Sequence, residues 1–186
     1  MKTKYILHGG NAQHVNTQNN KFFWEILKNT KRKVKILLVE FAGRQEKIEL
    51  NFQIDKSQFE RVAGNKELIF EVAKEQDFID QIKSSDIIYI GGGTTVRLMD
   101  KLKDYQNLGA IFNGKVVAGE SAGANCLSVY CYSKSGGGIV KGLGLVPVRT
   151  IPHYVPGAEI VFKDASPVIE SLLLPEYKFK VFEVGH

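Results

Sequence analysis

Cysteine, proline and long apolar runs are all scarce in this chain, and each scarcity excludes a class of protein. Two cysteines, Cys126 and Cys131, are too few for a disulfide scaffold, so we expect buried free thiols rather than metal ligands. Five prolines and the absence of any biased tract argue against long disorder. No apolar stretch approaches the roughly 18 residues of a membrane-spanning helix, and the N-terminus has no signal-peptide core. We therefore expect a cytoplasmic protein that does not associate with membranes.

Charge of one sign is only in modest excess. The formal net charge is +5, and the basic residues are spread along the chain. Their densest cluster, at 31–35, stands beside an apolar run and is typical of a solvated connection between a helix and a strand. Helix-turn-helix, zinc-finger and stacking-aromatic patterns are missing from the sequence, so no nucleic-acid partner is predicted.

The chain has 186 residues, a length typical of one domain, and short apolar runs alternate in it with amphipathic stretches. Short continuous apolar runs indicate strands buried on both faces, and their alternation with helices favours a mostly parallel sheet. We predict strands at 5–8, 34–39, 68–72, 86–90, 115–118, 145–151 and 179–184, and helices at 21–29, 77–83, 96–102, from 122 and around 167–173. The predicted fold is one α/β domain over 1–186, a three-layer sandwich with a mostly parallel central sheet.

The sharpest local motif is Gly119-Glu120-Ser121-Ala122-Gly123, which matches the pattern G-x-S-x-G. It follows a predicted strand and precedes a predicted helix. A tight turn at such a junction needs small neighbours, and it aims backbone N–H groups of the new helix at the serine oxygen. The motif predicts that Ser121 is a nucleophile, with a plain tight turn as the alternative.

A second glycine cluster, Gly91-Gly92-Gly93, ends one predicted strand and opens a helix. Glycines let the backbone approach a substrate carbonyl closely, so Gly92 or Gly93 is a candidate oxyanion donor together with Ala122. The cluster lacks the patterns G-x-x-x-x-G-K-[ST] and G-x-G-x-x-G, so nucleotide binding is weakly supported. A simple turn is the other alternative.

A serine hydroxyl needs a general base at neutral pH, and the chain has four histidines: His8, His14, His153 and His186. In a parallel sheet the functional site lies outside the carboxyl ends of the strands. His153 directly follows a predicted strand and is the favoured base. His8 ends the first predicted strand and is its competitor, whereas His14 lies in a polar loop and His186 is the last residue.

Four segments carry a family resemblance: the first strand with its glycines, I-Y-I-G-G-G-T-T-V-R-L at 88–98, A-G-E-S-A-G-A at 118–124 and I-P-H-Y at 151–154. Together they resemble the dipeptidase E and cyanophycinase family of serine peptidases over nearly the whole chain. The resemblance implies a flavodoxin-like fold similar to the class I glutamine amidotransferase domain. It also implies a Ser–His–acid peptidase without metal or cofactor.

The resemblance carries roles onto individual residues. Ser121 matches the family nucleophile, His153 its base, and the glycine turn with the N–H of Ala122 its oxyanion hole. The implied substrate is a small peptide cleaved at or around aspartate. No other partner is implied, and a homodimer is left open.

Three departures from the family pattern affect these expectations. Thr94 stands where the family has Asn and becomes the candidate substrate contact. The family carries its acid between nucleophile and base, but residues 122–152 contain no Asp or Glu, so Glu120 and Glu183 are candidate acids from elsewhere. Relatives tend to continue beyond a strand like 181–184, so we expect the sheet to be shortened at the C-terminus.

Three functions remain open at this point. A serine peptidase is favoured by the two glycine-flanked turns and His153. The missing acid favours a weakened or inactive relative that binds a peptide or another small molecule. An amidotransferase is least favoured, because that class uses Cys at the position of Ser121.

Overall fold

Two sheets and six short α-helices form the described part of the chain. The computed structural model describes residues 2–163 and 168–185. The strands are β1 (Lys2–His8), β2 (Lys33–Val39), β3 (Glu67–Val72), β4 (Ile87–Ile90), β5 (Val116–Glu120), β6 (Ser128–Ser133), β7 (Gly138–Lys141), β8 (Val146–Pro152), β9 (Glu170–Leu174) and β10 (Phe179–Gly185). The helices are α1 (Thr17–Leu27), α2 (Ile48–Val62), α3 (Phe78–Ser84), α4 (Thr95–Leu102), α5 (Leu108–Ile111) and α6 (Ala122–Leu127).

A six-stranded sheet lies at the centre, in the order β10-β1-β5-β4-β2-β3. Its strands β1 to β5 are parallel, and β10 pairs antiparallel with β1 at one edge. All four residues of β4 are buried, as the continuous apolar run predicts for a strand covered on both faces. The carboxyl ends of β1, β4 and β5 therefore meet at one edge, where their following loops carry the glycine clusters.

Alternate strand residues feed two separate apolar cores. Ile6 and Tyr89 face α1 and α2, where Phe22, Phe23 and Phe59 are fully buried. On the opposite face, strand residues pack against α3 to α6; they include Tyr5, Leu7, Ile88 and Ile90. Each buried aromatic side chain stabilises the fold by about 1.5–3 kcal/mol relative to exposure. The mixed α/β class with a mostly parallel central sheet is confirmed.

A second sheet has the order β7-β6-β8-β9 and contributes to the apolar core on the face of the central sheet that α3 to α6 cover. Strands β6, β8 and β9 are parallel, and β7 is antiparallel to β6. Val146, Val148, Leu172 and Leu174 of this sheet belong to the same apolar core as α4 and α6. The register pairs Pro152 with Leu174, so β8 and β9 end side by side.

Several elements differ from the prediction. Helices α2 and α5 and strands β6 and β7 lie in stretches for which no such element was predicted. The helix predicted around 167–173 is wrong, because Glu170–Leu174 is strand β9; Pro167 lies outside the described residues. Leucine-rich segments are good helix formers in isolation, but pairing with β8 and burial of Leu172 and Leu174 outweigh that local preference.

Both cysteines are free and buried, as expected. Burial raises the pKa of the Cys126 thiol above its ordinary range and that of Cys131 to about 12. Neither thiol is therefore a reactive thiolate at neutral pH. Within 2–163 and 168–185, no helix has the length and apolar character needed to cross a membrane.

Candidate active site

Ser121 occupies a strained turn between β5 and α6. Its φ of 50° and ψ of −101° lie in a region that costs a non-glycine residue about 1–3 kcal/mol. The backbone holds this conformation from both sides: Ser121 N–H donates to His8 O at 3.0 Å, and Asn125 N–H donates to Ser121 O at 3.0 Å. Ser121 therefore lies at a tight, strained turn between a strand and a helix.

Both glycines of the motif are required by close backbone contacts. A Cβ added at Gly119 would lie 2.5 Å from the carbonyl carbon of Gly123. One added at Gly123 would lie 2.2 Å from Ile90 O of the neighbouring strand. Any larger side chain would separate α6 from β4 and β5, and the serine would move with the helix.

His153 follows β8 and faces the serine. Its ring Nε2 lies 3.0 Å from Ser121 Oγ, and its backbone N–H donates to Gly9 O at 2.7 Å. The residue has a φ of 51°, in the left-handed region that few non-glycine residues adopt. The predicted base and nucleophile thus lie within hydrogen-bonding distance, although they come from different sheets.

Glu176 supplies the carboxylate that faces the other ring nitrogen. Its Oε1 lies 3.1 Å from His153 Nδ1. The hydrogen bond from His153, followed by one from the Asn11 side chain, lowers the pKa of Glu176, so this carboxyl is ionised at neutral pH. An ionised partner fixes the tautomer with the proton on Nδ1, which leaves Nε2 free to accept the serine proton.

The two acids predicted from the sequence do not contact the imidazole in this way, and that prediction is wrong. Glu183 is exposed on β10 and lies opposite Lys4, far along β1 from His8. Glu120 is buried, and its carboxylate accepts N–H groups of Ala12, Asn11 and Gly92. Burial raises the pKa of Glu120, while these donors and His153 oppose the rise.

The loop after β1 packs directly against the imidazole and the acid. A Cβ added at Gly10 would lie 2.2 Å from the His153 ring, and one added at Gly9 would lie 2.0 Å from Pro175 O, next to Glu176. Gly10 also has a φ of 122°, which strains other residues. Because Gly9 and Gly10 lack side chains, the loop after β1 can pack against His153 and against the segment of Glu176, which follow strands of the second sheet.

Two backbone N–H groups beside the serine have no acceptor within the described residues: those of Gly93 and Ala122. Gly93 borders the clefts on both sides of Ser121, and Ala122 is the first residue of α6. The N–H of Gly92 interacts with the buried carboxylate of Glu120 and helps to hold its pKa down against the effect of burial. Among the candidate oxyanion donors, the geometry therefore favours Gly93 and Ala122 over Gly92.

Comparison with known proteins identifies the family of the chain. The model of peptidase family S51 matches residues 5–177 of the chain. The chain belongs to peptidase family S51. The resemblance carried by the elbow, the glycine turn and I-P-H-Y is thereby confirmed at the level of the family.

Individual relatives of this S51 chain are more distant. The uncharacterized peptidase YgaJ of Bacillus subtilis (strain 168) is 36% identical over 85 residues, which span 42% of this chain and only 36% of YgaJ. A crystal structure of a peptidase from an acI-B1 Actinobacterium has a TM-score of 0.72 at 21% identity, covering 100% of this chain and 88% of that one. A Listeria monocytogenes EGD-e protein, assigned provisionally as a peptidase E, has a TM-score of 0.68 at 19% identity, with 99% and 98% covered. At these identities the two structures show the shared fold alone.

His8 is held in a structural role in this S51 chain. It is fully buried, with Nε2 3.0 Å from Asn19 Oδ1 and Nδ1 accepting Gly10 N–H at 3.1 Å. Burial lowers the pKa of His8 to about 4, so the ring is neutral at pH 7. Both ring nitrogens are engaged, so His8 is not free to compete with His153 as the candidate base.

A buried polar network connects the helix after the nucleophile to the strand before the base. Asn125 Nδ2 donates to Thr95 Oγ1 at 3.1 Å, and Asn125 Oδ1 accepts from Thr150 Oγ1 at 2.9 Å. Thr150 also contacts Ser128 Oγ at 3.2 Å. Because buried polar groups are costly when unpaired, this network fixes α6 relative to β8.

Two clefts flank Ser121. One, of about 530 Å³, lies on the side of the glycine turn and is bordered by Thr94 and by three cations, Arg44, Lys47 and Arg97. The other, of similar volume, is bordered by Lys134, Tyr132 and apolar side chains near His153. Thr94, the candidate substrate contact, borders the first cleft. No cluster of potential metal ligands occurs among the residues that the structure describes.

Sequence reasoning missed Glu176, Asn11 and Asn125. Glu176 stands two residues after the apolar run at 170–174, so the rule that placed His153 after a strand would also have found it. Taking that run for a helix hid the signal. Asn11 follows the first glycine pair and Asn125 follows the elbow, but neither position has a motif that names its partner.

Proposed function

We propose that this member of family S51 is a serine-type peptidase in which Ser121 forms an acyl-enzyme and His153 acts as general base and acid. The observation that carries the proposal is the line of contacts from Ser121 Oγ to His153 Nε2, at 3.0 Å, and from His153 Nδ1 to Glu176, at 3.1 Å. A strained elbow that exposes a hydroxyl to an oriented imidazole is the arrangement that acyl transfer requires.

The reaction proceeds in two halves. Ser121 Oγ attacks the substrate carbonyl carbon as His153 Nε2 takes its proton, and the N–H groups of Gly93 and Ala122 stabilise the resulting oxyanion. The imidazolium, stabilised by Glu176, then gives its proton to the leaving amine, the C–N bond breaks, and an acyl-serine ester remains. Water, activated by His153, attacks the ester in the second half and restores the free serine.

The cleft beside the glycine turn supports an acidic peptide as substrate. Arg44 and Lys47 border it without an ion pair to any residue in 2–163 or 168–185, and Arg97 donates only to Ala42 O. Cations without acidic partners favour a ligand that carries a carboxylate. We therefore propose a small or aspartate-containing peptide as the substrate.

The alternative, an inactive relative that serves as a binding module, was motivated by the missing acid. Residues 122–152 indeed contain no carboxylate, but Glu176 occupies the position that such an acid would fill. No other feature of the site favours loss of turnover over catalysis.

Hydrolysis of a panel of Asp-X dipeptides and aspartyl polymers tests the proposal, with Asn-X dipeptides as the uncharged comparison. We expect cleavage by the wild-type chain, a preference for the Asp substrates, and background rates for Ser121→Ala. Equal cleavage by wild type and Ser121→Ala would reject serine chemistry. Ser121-dependent cleavage that favours Asn-X would reject only the acidic substrate.

A further inference from the structure

One buried carboxylate next to the nucleophile has no step in the proposed reaction. Glu120 directly precedes Ser121 and is only 7% exposed. Two further buried carboxyl groups, Glu40 and Asp55, lie nearby: burial raises their pKa values, and the charge of Glu120 raises them further. Burying a carboxylate beside other acids costs free energy, so the contacts that stabilise Glu120 in this position need an explanation.

Three backbone N–H groups from two different loops converge on the Glu120 carboxylate. Ala12 N lies 3.5 Å from Oε1, and the N–H groups of Asn11 and Gly92 also interact with the carboxylate, where they oppose the rise in its pKa that burial causes. A carboxylate suits such a site because it accepts several hydrogen bonds and donates none. A glutamine there would present an NH₂ group toward at least one of these donors.

On the side of the oxyanion, Glu120 fixes the glycine turn. A Cβ at Gly92 would lie 2.0 Å from Glu120 Oε2, so only glycine lets the turn approach this closely. Gly92 N–H is held by Glu120, and Thr94 N–H is held by Ala42 O at 3.0 Å. The peptide between these two anchors carries the free N–H of Gly93.

On the side of the base, Glu120 fixes the loop that holds the acid. Asn11 has a φ of 60° and donates its own N–H to Glu120, while its side chain donates to the Glu176 carboxylate. Asn19 Nδ2 anchors the same loop by donating to Asn11 O at 2.7 Å. Glu176 in turn contacts His153.

We infer that Glu120 is a positioning residue for the reaction at Ser121: its carboxylate sets the Gly93 oxyanion donor and, through Asn11, the Glu176 acid at the same time. The contacts form a closed ring, which runs through Glu120, Asn11, Glu176, His153 and Ser121 and closes because Ser121 is bonded to Glu120. This inference rests on the proposed serine chemistry.

Hydrolysis of p-nitrophenyl acetate tests the inference without any assumption about the natural substrate. The rate above the Ser121→Ala background is the measured quantity. Glu120→Gln should lower kcat about 10²-fold, the loss typical of one oxyanion donor, with KM within about threefold of wild type. The matched control is Glu40→Gln, since Glu40 is also buried and lies beside Asp55, but no backbone N–H of the two loops donates to its carboxylate among the described residues; it should stay within about threefold of wild type.

Asn11→Gly tests the contact to Glu176 by itself. Glycine tolerates the left-handed φ and keeps the backbone N–H to Glu120, so the variant removes only the side chain. The titratable groups that face the imidazole or its acid are Glu176, Glu120, His14 and His8, whose ring is neutral at pH 7. With Glu176 less firmly held, the imidazolium is less stable, so kcat should fall about tenfold and the acid limb of the pH profile should move to lower pH.

The outcomes distinguish failure of the positioning role of Glu120 from failure of the proposed serine chemistry. Hydrolysis that is equal in wild type and Ser121→Ala would remove the proposed serine chemistry itself. Ser121-dependent hydrolysis with an unchanged kcat in Glu120→Gln, or an equal loss in Glu40→Gln, would overturn the positioning role. If Glu120→Gln does not fold, the Asn11→Gly profile decides, and an unchanged limb and rate contradict the inference.

Discussion

The nucleophile and the groups that handle its proton come from two sheets that build their parts of the site differently. Ser121 is held by a five-residue segment of the six-stranded sheet, through backbone contacts with the neighbouring β4. His153 and Glu176 follow β8 and β9 of the second sheet, and each side chain is 43% exposed. The serine geometry is thus encoded locally, whereas the position of the base and acid depends on strand register and on the loop after β1.

This contrast predicts which substitutions should affect turnover most. A change at the elbow acts on the nucleophile directly, through a cramped backbone. A change in the second sheet acts by moving or reorienting a half-exposed imidazole, whose support comes from Gly9, Gly10 and Glu176. The first kind should abolish turnover, whereas the second kind should reduce it by graded amounts as long as the imidazole itself is kept.

The largest effect is expected when either partner of the central contact is removed. Ser121→Ala and His153→Ala should each lower kcat for Ser121-dependent hydrolysis by about 10⁵- to 10⁶-fold, because the two groups act as one unit. The double variant should be no slower than either single one. Additive losses would show that the two sheets contribute separate, uncoupled activities.

Loss of the acid tests the second sheet alone. Glu176→Gln should lower kcat by about 10²- to 10⁴-fold, since an amide does not fix the Nδ1–H tautomer or stabilise the imidazolium as a carboxylate does. Glu183→Gln on exposed β10 is the matched control and should leave kcat unchanged. Steady-state rates at pH 7 decide the point, and equal rates for the two variants would remove Glu176 from the mechanism.

The contact between the two sides is tested at Gly10. Gly10→Ala would place a methyl group 2.2 Å from the His153 ring at a φ of 122°, so the imidazole must shift. Because a displacement of about 1 Å can cost 10² in rate, we expect kcat to fall by about that factor.

Gly64→Ala is the control for this variant, since it shares a left-handed φ of 61° but has open space around its Cβ. It should lose some stability without losing activity. Thermal unfolding and kcat measured on both variants separate the two effects. A Gly10→Ala protein with wild-type kcat would show that the loop after β1 does not hold the base.

The smallest expected effect concerns stability within the first sheet. The pKa of His8 is lowered by burial to about 4 in the folded chain, against about 6.5 in the unfolded chain. The unfolded state therefore binds the extra proton first, and stability is lost as the pH falls from about 6.5 to about 4, by up to about 3 kcal/mol.

Urea unfolding of wild type and His8→Gln between pH 4 and pH 7 measures how protonation of His8 changes the free energy of unfolding. Glutamine does not titrate, so the stability of wild type relative to the variant should decrease toward pH 4. Parallel curves for the two proteins would mean that His8 binds its proton as readily in the folded chain as in the unfolded chain.

The difference between the two sheets also explains how much the sequence could predict. The elbow at Ser121 and the buried strand β4 follow from residue types within a few positions, since tight turns need glycine and doubly covered strands need continuous apolar runs. His153 was found by the same local logic, as the residue after β8. These predictions needed no knowledge of distant contacts.

Glu176 and strand β9 could not be found in this way. The segment at 170–174 is leucine-rich and has the composition of a helix, and only pairing with β8 makes it a strand. Glu120 was recognised as notable because it adjoins Ser121, but its three N–H donors come from loops that are distant in sequence. Long-range register and loop convergence decide these positions, and neither leaves a local pattern.

The rate of labelling by a fluorophosphonate probe, with the adduct located by peptide mass mapping, tests the central claim most directly. The account predicts a single adduct on Ser121 in wild type, no adduct in Ser121→Ala, and labelling slowed strongly in His153→Ala and less strongly in Glu176→Gln. Wild-type protein that is not labelled, or that is labelled as fast in His153→Ala, would contradict an activated serine at this site.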